Sequence, residues 1–129
     1  MITEDYVSFE IAKLLKEKEF DVYTYAYYED EDNPNISLHS GKAINWNKTE
    51  FISKPTLQMA MKWLREVHNI SIEVVYDCSN DKTKTISWWV ANIKHINPGS
   101  SKENDCLTAY NSYEEAASSA IKYALENLI

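Results

Sequence analysis

A helix that runs almost without a linker into a strand restricts the fold of this chain more than any other feature. Residues 55–70, PTLQMAMKWLREVHNI, carry apolar side chains at the i, i+3, i+4 and i+7 spacing of one helical face. The members of that face are Ala60, Trp63, Leu64 and Val67. Residues 70–77, ISIEVVYD, alternate apolar and polar side chains, as strands with one buried face do. Because the two apolar sides then share one core, we expect Trp63 to be buried rather than to form a docking face for another protein.

Two more helices and three more strands are indicated in the rest of the chain. The first helix lies in YVSFEIAKLLKEK, residues 6–18, and either Thr3 or Ser8 can cap it. The last helix begins at the capping box Ser112-x-x-Glu115 and carries a wide, alanine-rich apolar face. The three strands are predicted at residues 22–28, 36–39 and 86–96.

The middle helix has boundary signals of its own. Thr56 or Ser53 can cap its start, and Pro55 suits its first turn. His68-Asn69 suits its end, because asparagine tolerates a left-handed backbone and histidine is favoured near the negative end of the helix dipole.

The expected order is therefore helix, hairpin, helix, hairpin, helix, or α-β-β-α-β-β-α. This order predicts a single α+β domain over residues 1–129, with a four-stranded antiparallel sheet and the helices packed on it. Residues 86–96, ISWWVANIKHI, are apolar on both faces, so this strand is expected to be central. Residues 97–105 are expected to form a polar loop. A short additional strand around Ile44 and Trp46 stays open.

The charge of the chain argues against generic nucleic-acid binding. The net charge is −7, and residues 1–41 hold ten acidic side chains against three lysines. Phosphate backbones repel such a chain. Residues 42–94 carry eight basic and five acidic side chains, which leaves a weak positive patch for nucleic acid as a less favoured hypothesis.

The sequence also predicts a cytoplasmic protein without membrane contact. The N-terminal stretch MITEDYVSFE lacks the basic and apolar regions of a signal peptide, and no apolar run has the length of a membrane span. The two cysteines, Cys78 and Cys106, are expected to stay reduced in that compartment.

Three segments resemble a known group of proteins. SFEIAKLLKEKEF, PTLQMAMKWLREVHNI and SYEEAASSAIKYALENLI, in this order, are similar to segments of a group of small uncharacterised proteins from gut Bacteroidetes and their phages or prophages. The resemblance implies an accessory protein of a mobile element or of its host. It implies no activity and no site residues, because the group has none assigned. This chain departs from the group at Glu19, where glycine is common and would end the first helix.

Neither a catalytic set nor a metal site is indicated. His39, His68 and His95 lack the spacing of metal ligands, and each cysteine follows an aspartate that disfavours a reactive thiolate. The acidic run of residues 29–32 lacks the ligand spacing of a calcium-binding loop. We therefore predict no catalytic residue, no metal and no cofactor, and we favour a protein without enzymatic activity. Catalytic groups can still converge from distant segments.

Aromatic side chains are the best candidates for a binding surface. They are Tyr25 and Tyr27 in the first predicted strand, Trp46 after the second, and Trp88 and Trp89 in the last. Such rings stack on bases or sugars and anchor protein partners. Adjacent strand residues face opposite sides of a sheet, so one of Trp88 and Trp89 is expected to belong to the core.

Binding to another, unknown protein is the favoured function. In one variant, the acidic N-terminal third imitates a nucleic-acid backbone and inhibits a DNA-acting enzyme. A second class is a small-ligand-binding module or enzyme with an aromatic-lined cleft, in which Glu73, Asp77 or His95 supplies the polar group. A homodimer is also open, because exposed aromatics or a free sheet edge could pair with a second copy.

Overall fold

Three helices and six strands follow one another along the chain in the computed structural model, which describes residues 2–34, 36–96 and 105–129. The helices are α1 (Phe9–Glu17), α2 (Leu57–His68) and α3 (Tyr113–Asn127). The strands are β1 (Thr24–Tyr28), β2 (Ser37–Ile44), β3 (Ile52–Ser53), β4 (Ile70–Asn80), β5 (Thr85–His95) and β6 (Asp105–Tyr110). A short 3₁₀ turn, Trp46–Lys48, precedes β3.

The strands form two antiparallel sheets, in the orders β2-β1-β3 and β4-β5-β6. The α+β class and the succession of helices and hairpins are confirmed, but the prediction that four strands form one sheet was wrong. Each hairpin pairs with a third, short strand: β3 pairs with β1, and β6 pairs with β5. Most of the predicted polar loop, residues 97–104, lies outside the described residues, and Asp105 already belongs to β6.

The hairpin of β4 and β5 has an unbroken register from Ile70 opposite His95 to Asn80 opposite Thr85. This pairing confirms the two adjoining strands, and the position of β5 between β4 and β6 confirms that it is central. The predicted buried face of β4 is only half correct, because Ile70 and Ile72 are buried but Tyr76 is 59 % exposed. The far half of the hairpin extends beyond β6, which pairs only near the base, and is therefore exposed.

One hydrophobic core contains residues from all three helices and from both sheets. Trp63 is only 4 % exposed and lies between the rings of Phe20 and His68, so its predicted burial is confirmed. Val67 is 56 % exposed, and its predicted place in the buried face of α2 was wrong. The buried face ends at Leu64, one turn before the chain leaves the helix at Asn69.

Helix α3 lies against the second sheet through a face of small side chains. The fully buried members of this face are Ala116, Ala117, Ala120, Ile121, Ala124 and Leu125. Alanine adds little bulk, so a helix with such a face can approach the strands closely. Among the described residues, no helix combines the length and the apolar character that crossing a bilayer requires.

Side-chain caps define the start of each helix. The hydroxyl oxygens of Ser8, Thr56 and Ser112 each accept a hydrogen bond from the backbone N–H three residues later, at 3.3, 3.1 and 3.1 Å. Of the two alternatives at the first helix, Ser8 is therefore the cap. Pro55 precedes the cap of α2 and so lies just outside the first turn in which it was expected.

Helix α1 ends in a left-handed residue that is not glycine. Glu19 has a φ of 65°, and its N–H donates to the carbonyl of Lys16 at 3.1 Å. The N–H of Phe20 donates to the carbonyl of Leu15 at 3.0 Å, which completes the Schellman arrangement of a helix end. A side chain costs about 1–2 kcal/mol in the left-handed region, where glycine has no such penalty.

We expect Glu19→Gly to raise the free energy of unfolding by about 0.5–1 kcal/mol, because the relieved strain exceeds the extra backbone entropy that glycine loses on folding. Urea unfolding followed by circular dichroism measures the change. Lys18→Gly is the matched control, since Lys18 has a φ of −94° and gains nothing from glycine. If Glu19→Gly destabilises the protein as much as Lys18→Gly does, the left-handed residue carries no relievable strain.

Candidate binding surface

Four aromatic rings gather on the outer face of the first sheet, and we call them the aromatic surface: Tyr25, Tyr27, Trp46 and Phe51. The rings of Tyr27 and Trp46 stack with centroids 4.0 Å apart and an interplanar angle of 22°. Phe51 lies 5.0 Å from Tyr27 and 6.0 Å from Trp46. Tyr25 shares this face because it lies two residues before Tyr27 in β1.

The turn that carries Trp46 is tied to the rest of the fold by its own polar side chains. The indole N–H of Trp46 donates to the carbonyl of Thr24 at 2.7 Å. The amide of Asn47 donates to the carbonyl of Phe20 at 2.9 Å, and its oxygen accepts from the N–H of Ser53 at 2.9 Å. A turn bonded on both sides in this way holds Trp46 in one orientation.

Helix α1 supports the same turn from outside the sheet. The ammonium group of Lys16 donates to the carbonyls of Thr49 and Phe51, at 3.2 and 2.8 Å. Trp46 and Phe51 are therefore fixed before any ligand arrives. Rigid aromatic anchors bind with less loss of side-chain entropy than mobile ones.

The aromatic surface continues onto β2. His39 stacks on Tyr25 with centroids 6.0 Å apart, and Leu38 lies opposite Tyr27 in the strand register. Tyr25 is 53 % exposed and Leu38 is 39 % exposed, so water reaches the apolar side chains on this edge. Exposed charges of both signs border the turn, Lys48 and Glu50 among them. A mixed rim of this kind is common around protein-binding patches.

The other two predicted site residues lie on the second sheet, on opposite faces. Trp89 faces inward and meets Tyr76 and Tyr113 edge to face, at centroid distances of 5.1 and 5.8 Å. It packs against the core, as expected for one member of the pair. Trp88 lies on the outer face opposite Asp77 and is half-buried. The structure thus brings Tyr25, Tyr27 and Trp46 together and leaves both of these tryptophans elsewhere.

The polar groups proposed for an aromatic cleft do not converge on the aromatic surface. Glu73 and Asp77 share the outer face of β4, where Glu73 pairs with Lys94 at 3.8 Å. His95 lies opposite Ile70 and so belongs to the inner face. Four cavities stand out on the described surface, and none of them is lined by Tyr25, Tyr27 or Trp46.

The groups that could support metal binding or covalent chemistry are scattered. Among residues 2–34, 36–96 and 105–129, no three His, Cys, Asp or Glu side chains come together as ligands of one ion. Cys78 and Cys106 are free and exposed. Burial, with a smaller contribution from Lys18, lowers the pKa of His68, whose ring packs against Trp63.

Three residues that build or hold the aromatic surface could not be named from the sequence. Phe51 follows no strand or helix periodicity, and Asn47 and Lys16 act through bonds to distant backbone groups. Only the turn-forming composition around Asn45 and Asn47 could have indicated a fixed loop at this point.

No family model, curated protein or solved structure matches the chain.

Proposed function

We propose that this protein is a small accessory protein that binds another protein through the aromatic surface. The observation that supports this most directly is the stack of Tyr27 on Trp46, which is held by a hydrogen-bonded turn and is flanked by the exposed ring of Tyr25. Tyr27 and Trp46 are half-buried, so their stack forms a fixed base beside the ring of Tyr25, which a partner can reach. Protein interfaces are enriched in tyrosine and tryptophan at their centres.

The shape of the surface favours a protein partner over a small ligand. The rings lie on a sheet face rather than in a cavity, and small ligands bind where most of their surface can be enclosed. A partner that presents an apolar or aromatic side chain could pack on Tyr25, Tyr27 and Leu38 together. The ligand-cleft hypothesis is therefore the less favoured one.

We expect Tyr25→Ala to weaken capture of the partner by about tenfold or more, because truncation costs over 1 kcal/mol at the aromatic residues that dominate protein interfaces. The measurement is affinity capture from the lysate of a Bacteroidetes host, with mass-spectrometric identification and then titration of the captured protein. Tyr76→Ala is the matched control, since Tyr76 is exposed to a similar degree, 59 % against 53 %, but lies on the other sheet.

Two results would count against this function. Capture that survives Tyr25→Ala unchanged would remove the aromatic surface from the interaction. Capture that both variants weaken equally would point to a general loss of folding rather than to a contact.

Salt dependence separates this function from nucleic-acid mimicry. The acidic residues 29–32 are all exposed, and Glu31 pairs with Lys13 at 3.1 Å. A partner held by the acidic tip would be released as salt screens the charges. A partner held by the aromatic surface would remain bound.

We further propose a cytoplasmic location and an origin in a phage, a prophage or its host. The location agrees with the two free cysteines, Cys78 and Cys106, and the origin rests on the resemblance of three segments. The neighbouring genes would test the origin most directly, because accessory proteins of mobile elements are encoded beside other genes of those elements.

A further inference from the structure

A surface cavity of about 500 Å³ opens beside the first turn of α1 and contains a lysine. Its lining includes Ser8, Phe9, Tyr28, Ser37 and Lys54. It is separate from the aromatic surface, since it shares none of that surface's four rings. The proposed function makes no use of it.

The backbone around Lys54 is fixed on both sides. Its N–H donates to the carbonyl of Ala26 at 2.9 Å, and the carbonyl of the next residue, Pro55, accepts from Val7 at 3.0 Å. The N-terminal segment is thereby held against the end of β3, and this places Tyr6 beside the lysine. These constraints fix the backbone from which the Lys54 side chain extends.

The ammonium group of Lys54 has only neutral partners among the described residues. Its nitrogen lies 5.0 and 5.1 Å from the ring centroids of Tyr6 and Tyr28, and it donates to the hydroxyl of Ser37 at 2.9 Å. None of the ion pairs between described residues includes it. Burial lowers the pKa of Lys54, because desolvation disfavours the charged form.

The one carboxylate in the lining is already paired. Glu10 lines the same cavity, and its carboxylate lies 2.9 Å from the ammonium of Lys122 on α3. This bond raises the pKa of Lys122. Glu10 therefore leaves Lys54 without a compensating charge and repels an incoming anion less than a free carboxylate would.

We propose that this cavity binds an oxyanion, the phosphate or carboxylate group of a small organic molecule, with Lys54 as its main contact. An ammonium has three donors, and the hydroxyl of Ser37 occupies one of them. Phe9, Tyr28 and Pro34 supply apolar walls for the remainder of the ligand. The start of α1 adds the positive end of its dipole, but the assignment rests on the lysine.

Titration of the full chain with inorganic phosphate, phenyl phosphate and benzoate, followed by amide NMR shifts, tests this site. We expect saturable shifts at Ser8, Phe9 and Ser37, with phenyl phosphate binding more tightly than inorganic phosphate because of the apolar walls. Benzoate tests whether a carboxylate is accepted as well. Because the chain has a net charge of −7, general attraction of anions to its surface is weak.

Two variants distinguish a binding lysine from a structural one. Lys54→Met keeps the apolar stem, removes the charge and is expected to weaken binding at least about tenfold, or 1.4 kcal/mol. Lys54→Arg keeps the charge and should still give saturable binding, while Lys48→Met, at an exposed lysine of the turn, should change nothing. The proposal is overturned if the wild-type protein shows no saturable shifts with any of the three anions, or if Lys54→Met binds as the wild type does.

Discussion

Replacing Trp63 by alanine is expected to lower the free energy of unfolding by about 3–5 kcal/mol. The indole is 4 % exposed and packs edge to face against Phe20, with ring centroids 5.3 Å apart. On its other side it meets His68 at 4.6 Å. The substitution removes the transfer free energy of the ring and leaves a cavity beside Phe20 and His68. Urea unfolding followed by far-UV circular dichroism measures the loss.

Trp88→Ala makes the same chemical change at a half-buried position on the outer face of β5. It should destabilise the protein by less than half as much, because part of the ring already contacts water and its removal leaves no closed cavity. Equal losses in the two variants would mean that Trp63 is no more enclosed than Trp88. The central part of the architecture would then be wrong.

The helix and the strand around Trp63 were predictable because their signals are local. The apolar spacing of α2, its cap at Thr56 and the turn at Asn69 all lie within one stretch of sequence. The left-handed backbone of Asn69, with a φ of 57°, is the conformation that asparagine tolerates best after glycine. The alternation of β4 follows at once, so burial of the shared side could be inferred before any tertiary contact was known.

The division into two sheets was not predictable, because it depends on strands with little pattern of their own. Strand β3 has only two residues, Ile52 and Ser53, and pairs with Tyr27 and Tyr28 through the backbone. Strand β6 is six residues long and contains Ala109 in a left-handed conformation, with a φ of 69°. Strand β3 is too short to show a period, and Ala109 interrupts the extended backbone of β6, so each strand is specified by the edge with which it pairs.

Three aromatic residues of the candidate surface could be named from the sequence, but their spatial arrangement could not. Tyr25, Tyr27 and Trp46 could be named from the sequence, since aromatic residues in strands and turns are frequent binding groups. Their convergence with Phe51 depends on hydrogen bonds from Asn47 and Lys16 to backbone groups that are distant in sequence. Such bonds produce no periodic pattern in the sequence. Trp88 and Trp89 were named on the same grounds, yet they lie on the second sheet.

Ile86 and Ile93 look alike in the sequence of β5, but the structure buries one and exposes the other. Ile93 is fully buried opposite Ile72, at the base of the hairpin and under the helices. Ile86 is 52 % exposed opposite Ser79, in the part of the hairpin that extends beyond β6. We expect Ile93→Ala to lower the free energy of unfolding by about 2–5 kcal/mol, and urea unfolding measures it.

Ile86→Ala should cost less than about 1 kcal/mol, most of it from the lower strand preference of alanine. The two variants delete the same atoms from the same strand, so the difference between them reports burial alone. A large loss at both positions would mean that the far half of the hairpin is covered in solution, as it would be if a second copy or another chain packed on it. A small loss at both would place the core away from the second sheet, which the burial of Ile72, Ala91 and the alanine face of α3 contradicts.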